Sequence, residues 1–253
     1  MRIDDYLARV GLARPLPPNA ETLRRLHIAH LGAFPFDNLG IQRHDTIDTD
    51  VDAVERKFLG GITGGYCFEQ NTLFGAVLRE LGFTVTTLLG RVGPDLNHML
   101  LRVDIEDEPW LADVGFGAEG PLAPLPLREG TYKDDDGIAY SLRRDAHHWI
   151  LTMHYAEKSD EMYAFAEAPH TAGDIAMANY YTSTHPASAF RRTLTIQRAT
   201  PEERVILRPR VVTRYRNGVR TDTPIEPSEV RRYARELFGV DLGDAALLFE
   251  TSG

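Results

Sequence analysis

Residues 67–92 read CFEQNTLFGAVLRELGFTVTTLLGRV, and the hydrophobic period changes inside them. Leu73, Phe74, Val77, Leu78 and Leu81 recur three and four apart, as on one face of a helix. Gly82 supplies a stop. From Thr84 the chain turns to a run rich in threonine, valine and leucine, the composition of a strand. A helical region ends near residue 82 and a β region begins.

The residues upstream read as helices. Asp4 or Asp5 can cap a short one with Tyr6, Leu7 and Val10 on one face. After the breaker PLPPN, Asn19 can cap a second carrying Leu23, Leu26 and His30. FPFDNLG is a turn-rich connection. Asp50 opens a third, with Val51, Val54 and Phe58 inward, that stops at Gly60-Gly61. The residues downstream of 84 read as strands: HMLLRVDI, WLADVGF, IAYSLRR, HHWILTMHY and MYAFAEA. Their short, even spacing predicts a barrel or curled sheet. RVILRPRVVTRYRNGVRTD adds late strands with Asn217-Gly218 as a hairpin turn. Ser228 is positioned to cap a closing helix that ends at Phe238-Gly239. DDDG at 134–137 reads as a solvated turn, because the spacing beyond it is wrong for a metal loop. Helices followed by antiparallel strands predict α+β rather than alternating α/β.

Composition bounds the function. A formal net charge of −9 disfavours non-specific binding to nucleic acid or membrane. The single cysteine excludes an internal disulfide and fits a reducing compartment. MRIDDYLARVGL lacks a signal-peptide pattern, and no apolar run reaches spanning length, so a cytoplasmic protein is expected.

Cys67 stands at the entry of the helix that opens the quoted stretch, just after Gly64-Gly65-Tyr66. A helix N-terminus presents unpaired N–H groups and partial positive charge, which favour a thiolate. The glycines let backbone approach without a Cβ clash. A nucleophilic thiol needs a base, and the base an orienting group. Among nine histidines, His27, His30 and His44 read as surface or core-edge groups, and His147, His148 and His154 lie on mixed-face strands. His98 opens an apolar strand. Asp113 interrupts the apolar run WLADVGFG, where an unpartnered carboxylate is costly to bury. A hairpin with its apex near Glu106-Asp107 brings the two roughly opposite each other. Cys67, His98 and Asp113 thus form a candidate nucleophile, base and orienting group.

GGYCFEQN, His98 at a strand start, DVGFG, NYYTSTHPASAF and PFDNLGI together resemble the arylamine N-acetyltransferase family, over nearly the whole chain. The resemblance implies an N-terminal helical bundle at 1–82, a central β-barrel at 83–188 and a C-terminal α/β lid at 189–253, around a cysteine-protease-like core. It implies a Cys-His-Asp triad of Cys67, His98 and Asp113. The implied reaction is ping-pong acyl transfer from acetyl-coenzyme A, through acyl-cysteine, to a small aromatic amine. No permanently bound cofactor and no metal are implied. Phe36, Tyr66 and Phe116 become candidate substrate-binding residues. Gly115 and Gly117, within the glycine-rich 115–120 stretch, become candidates for coenzyme A. His185 before Pro186 reads as structural, within a segment that is architecture or cofactor edge.

The chain departs from the family pattern in three places. Thr63 stands where the family usually carries arginine. Asp37 replaces the glutamate of PFENL. Only VGPDLN links Arg91 to His98, which predicts a wider, less covered cleft. Such a cleft also suits a relative of the family, an amide synthase that takes a polyketide from an acyl carrier protein and closes it on its own aromatic amine. A cysteine hydrolase or transglutaminase-like enzyme is more remote, and a non-catalytic binding protein would make the triad a coincidence.

Overall fold

The structure, a computed structural model, describes residues 1–61, 64–244 and 246–251 of the chain. Local chemistry sets the helix ends. α1 (Ile3–Val10) starts after Arg2, not at an aspartate; Asp4 and Asp5 lie inside its first turn, where negative charge favours the N-terminal end. Asn19 caps α2 (Ala20–Ala33), its Oδ1 accepting from Thr22 N–H at 2.9 Å. The FPFDNLG connection holds β1 (Phe36–Asp37) and α3 (Leu39–Gln42). Asp50 caps α4 (Val51–Gly60) through Asp52 N–H at 2.9 Å. α5 (Cys67–Glu80) begins on the cysteine itself. Leu73, Phe74, Val77 and Leu78 on its inner face are fully buried, and α5 packs on the two strands that follow. Each such side chain contributes about 1.5–3 kcal/mol relative to exposure.

Those strands are β2 (Thr84–Val92) and β3 (Asp95–Ile105). β4 (Glu108–Ala112), β5 (Leu125–Pro126), β6 (Gly130–Lys133), β7 (Ala139–Asp145), β8 (His148–Tyr155) and β9 (Lys158–Phe165) complete one antiparallel sheet. Its order is β5-β4-β3-β2-β9-β8-β7-β6, an eight-stranded, near-closed barrel. After α6 (Ala172–Thr184) and α7 (Ala189–Arg192), the chain builds β10 (Ile196–Ala199), β11 (Arg204–Arg208), β12 (Val211–Arg216) and β13 (Val219–Pro224). With β1 they form a second antiparallel sheet, β1-β10-β11-β12-β13. Asn217 and Gly218 both take positive φ, 50° and 74°, as a tight hairpin turn requires. α8 (Val230–Phe238) covers β10 and β11, and α9 (Leu248–Thr251) follows. Ser228 does not cap α8. It lies within a 3-10 turn, Pro227–Glu229, where Glu229 accepts from Glu226 N–H at 3.0 Å.

The DDDG turn is not solvated. Asp134 and Asp136 are 6% and 3% exposed, while Asp135 points out to Arg24. The partner is Arg204, fully buried. Its Nη2 meets Asp134 at 2.9 Å, and its Nε donates to Asp136. Its Nη1 donates to the carbonyls of Ala118 and Gly120, at 3.1 and 2.6 Å, and to Tyr140 Oη at 2.6 Å. One guanidinium therefore ties β11 of the second sheet to the 118–120 loop and to the link before β7. Burial without these partners would be costly, which is why arginine, with five donors, occupies the position.

Candidate active site

The residues after Cys67 fix where the thiol sits. Glu69, Gln70 and Asn71 are all buried. Glu69 Oε2 accepts from Tyr66 N–H at 3.3 Å, and its Oε1 pairs with Lys57 at 2.7 Å. Gln70 Nε2 donates to the carbonyls of Pro35 and Gly65 at 2.9 and 3.2 Å. That leaves its Oε1 as acceptor for His30 Nε2–H at 2.7 Å. Asn71, one helical turn beyond Cys67, donates to Met99 O at 2.7 Å and Asp113 Oδ1 at 3.0 Å. The helix that presents the thiol is thereby bolted to β3 and to the Asp113 carboxylate. Asp37 accepts from Leu39 and Gly64 N–H at 3.0 and 2.9 Å; Thr63 lies outside the described residues.

The β3–β4 hairpin supplies the other two groups. Its register runs from Ile105 opposite Glu108 to Leu101 opposite Ala112. Continued by one residue it sets Asp113 against Leu100, with His98 two positions further on the same face, within diagonal reach. His98 Nε2 lies 2.7 Å from Asp113 Oδ2. Asp113 accepts only hydrogen bonds, so Nε2 carries the proton and Nδ1 is the nitrogen left for a substrate or thiol proton. Both residues are 3% exposed. Burial opposes the charge on each. It is outweighed for His98 by the charge and hydrogen bond of Asp113, with a smaller contribution from Cys67, which hold the imidazole well above its ordinary range. Asp113 is held below the usual carboxylate range by His98, Asn71 and the Gly115 N–H, against its burial. The Cys67 thiol meets the Asn97 carbonyl at 3.8 Å.

Three supporting residues escaped the sequence reading. His27 and His30 are fully buried rather than at the surface or core edge. His27 Nε2 accepts from the Asp113 backbone N–H at 3.2 Å, so its Nδ1–H donates to Leu122 O at 2.8 Å. Burial keeps both neutral, lowering His27 to about 4 and His30 to about 3. The Tyr163 ring lies tilted against His98 at 4.8 Å and Phe116 at 5.2 Å, centroid to centroid, with its hydroxyl buried and unpaired. Helical spacing carried a signal for two of the three: His27 falls four residues after Leu23, and His30 four after Leu26, on the buried face of α2.

A cavity of about 360 Å³ opens over this cluster. Cys67, His98, Phe36, Phe116 and Phe190 line it. Phe36 is both wall and core, 6% exposed. Tyr66 is not on the wall: it is fully buried behind α5, its hydroxyl bonded to Asn179. Gly115 is on the wall, where a Cβ would collide with the Cys67 backbone and the Asn71 amide. Gly117 is not among the lining residues; its φ of 82° and its approach to Gln197 account for the glycine. Thr182, Ser188 and Ala189 line the cavity, whereas His185 stacks on Tyr181 at 4.5 Å and ends α6. The β2–β3 link is a two-residue turn, Gly93-Pro94, with Val92 opposite Asp95. Among the described residues no group of three or more potential ligands could hold a metal, and no helix is long and apolar enough to cross a membrane.

Comparison with known proteins agrees with this geometry. Residues 19–247 match the family model described as N-acetyltransferase. An arylamine N-acetyltransferase of Escherichia coli is 34% identical, covering 96% of this chain and 90% of that protein. An arylamine N-acetyltransferase / N-hydroxyarylamine O-acetyltransferase of Salmonella typhimurium is 37% identical, covering 90% and 84%. The structure of a Mycobacterium marinum arylamine N-acetyltransferase in complex with CoA superimposes with a TM-score of 0.90, at 29% identity, covering 99% and 97%. The amide-synthase alternative, and with it a carrier-protein partner, finds no support in these matches. A buried imidazole–carboxylate pair beside the one thiol, on a barrel fold shared along nearly the full length of these relatives, has one consistent reading: the chain belongs to the arylamine N-acetyltransferase family.

Proposed function

We propose that the protein transfers acetyl from acetyl-coenzyme A to small aromatic amines by a ping-pong route through acetyl-Cys67. In the first half, the Cys67 thiolate adds to the thioester carbonyl. The tetrahedral intermediate collapses, the C–S bond to coenzyme A breaks, and the leaving thiolate takes a proton from His98. In the second half the amine adds to acetyl-Cys67, His98 accepts a proton from the nitrogen, and the Cys67 thiolate leaves. Asp113 holds the imidazole in one tautomer and balances its positive charge. The N–H groups at the start of α5 are the candidate donors to the oxyanion. One thioester is exchanged for another in the first half, so the acyl-enzyme stays reactive.

The observation that carries this reading is the buried His98–Asp113 pair, 2.7 Å apart, opening with Cys67 onto one cavity. The donor side follows from charge. Arg192 and Arg208 line the reactive cavity and also a neighbouring one of about 760 Å³, which Arg210 lines too. The phosphates of coenzyme A suit that side. The amine then stands against Phe36 and Phe116. A free thiol of this kind suits the reducing cytoplasm. The test is intact-mass analysis after mixing with acetyl-coenzyme A, without amine. One acetyl group on Cys67, discharged by an added aniline, is expected. No acetylation of wild type, or equal acetylation of Cys67→Ala, overturns the reading.

A further inference from the structure

The reactive cavity has a second arm of opposite character. Asp95 and Tyr181 line the cavity over Cys67 and also a trough of about 470 Å³ beside it. The Tyr181 hydroxyl lies 3.5 Å from Asp95 Oδ2, so this contact marks the passage between the two. Leu89, Leu96 and Ala178 give the trough an apolar floor. Met177, 67% exposed, stands on its edge. Two carboxylates line it, Asp95 at the passage and Asp174 at the first turn of α6, whose Oδ2 accepts from Thr171 N–H and Oγ1–H at 2.8 and 2.7 Å and leaves Oδ1 for a ligand. His170 is the one basic side chain lining it. No loop from the β2–β3 turn reaches over, because that turn is only Gly93-Pro94.

The two ends of the cleft therefore differ in sign. At one end Arg192, Arg208 and Arg210 outnumber Glu119, which pairs with Arg208 at 3.3 Å, and Glu250; at the other, Asp95 and Asp174 line the trough. An anionic donor and its acceptor can meet at Cys67 from opposite sides without competing for the same charges.

We propose that the trough is an acceptor subsite, and that it selects aromatic amines extended by an apolar spacer with a cationic end. The aromatic nitrogen meets acetyl-Cys67, the spacer lies along Leu89, Leu96 and Met177, and the cation reaches Asp95 and Asp174. The inference rests on the acetyl-transfer reading above. It adds to that reading a class of acceptor and a direction of entry.

The test compares three anilines with the same para-alkyl spacer, ending in an amine, a methyl group or a carboxylate. With wild-type enzyme and acetyl-coenzyme A, kcat/KM is expected to fall in that order, with roughly five- to tenfold between cation and methyl, the size of two exposed ion pairs. In Asp95→Asn/Asp174→Asn the ratio of the cationic to the methyl acceptor is expected to fall to about one. Near-equal kcat/KM for all three in wild type, a preference for the carboxylate, or an unchanged ratio in the double variant overturns the subsite. Failure of acetyl-coenzyme A to acetylate Cys67 overturns the functional reading instead. Calorimetric dissociation constants for the same three anilines then decide the subsite by the same order, and equal constants refute it.

Discussion

Arg204 offers a severe test of what holds the two sheets together. Its guanidinium is fully buried and makes two carboxylate contacts, two carbonyl contacts and one to the Tyr140 hydroxyl. Arg204→Met keeps much of the aliphatic stem and removes the charge. Asp134 and Asp136 are then left buried beside no cation, and the Ala118 and Gly120 carbonyls lose a donor. Breaking a buried pair by removing one partner costs about 3–5 kcal/mol, mostly the penalty of the stranded charge. At about 2–4 °C per kcal/mol for a chain of this size, Tm should drop by roughly 6–20 °C.

The stranded-charge account makes a second demand. Asp134→Asn and Asp136→Asn keep an oxygen for the Leu122 and Ile138 N–H groups, which the aspartates now accept at 2.7 and 3.2 Å. Adding both to Arg204→Met removes the two unpaired charges. The triple variant should therefore recover at least half of the lost stability by urea unfolding at pH 7. A single variant within about 1 kcal/mol of wild type would refute the argument, since an unpaired buried charge costs more than that. So would a triple variant no more stable than the single one, which would assign the loss to packing around the stem.

Gly115→Ala places a methyl group against the Cys67 backbone and the Asn71 amide. A shift of the nucleophile of about 1 Å should slow Cys67 acetylation by roughly 10²-fold in stopped flow, with a modest drop in Tm. Asp113→Asn keeps the bulk but loses the charge that holds the His98 tautomer; acetylation should slow by about 10³–10⁴-fold, and recovery of the rate at alkaline pH would contradict an orienting role. His98 is raised, so its contribution to stability is full below the unfolded pKa near 6.5 and lost as pH rises through the raised folded value. The stability gap between wild type and His98→Gln should therefore shrink at alkaline pH in urea titrations. His30 runs the other way: lowered to about 3 by burial, it contributes stability above pH 6.5 that is lost as pH falls. His30→Gln should flatten the loss between pH 7 and 5 by about 2 kcal/mol, at 1.36 kcal/mol per pH unit below 6.5; an unchanged slope would show that another group sets the acid limit.

How far the molecule could be read from its residues depended on whether the partners of each group were near in sequence. The helix-to-strand change at Gly82 is a matter of local period, so α5 and β2 were legible. The His98–Asp113 pairing was legible too, because one tight hairpin carries both and its register follows from the turn. Asn71 was within reach of the same reasoning: four residues after Cys67 it must share the helix face that carries the thiol, and a buried amide there needs partners. His27 and His30 gave a weaker signal, because helical spacing placed them on a buried face but did not show which groups would accept or donate. Asp134 and Asp136 show where local reasoning fails. Their alternation with an exposed Asp135 hints at an inward face, yet three aspartates and a glycine favour a solvated turn unless a cation waits inside. That cation, Arg204, is about seventy residues downstream on the other sheet, and in a strand reading of RVILR it looks like an edge residue. Tertiary pairing overrode turn chemistry there. The same asymmetry explains the acceptor trough, since Asp95 and Asp174 come from separate elements that meet only beside the folded site.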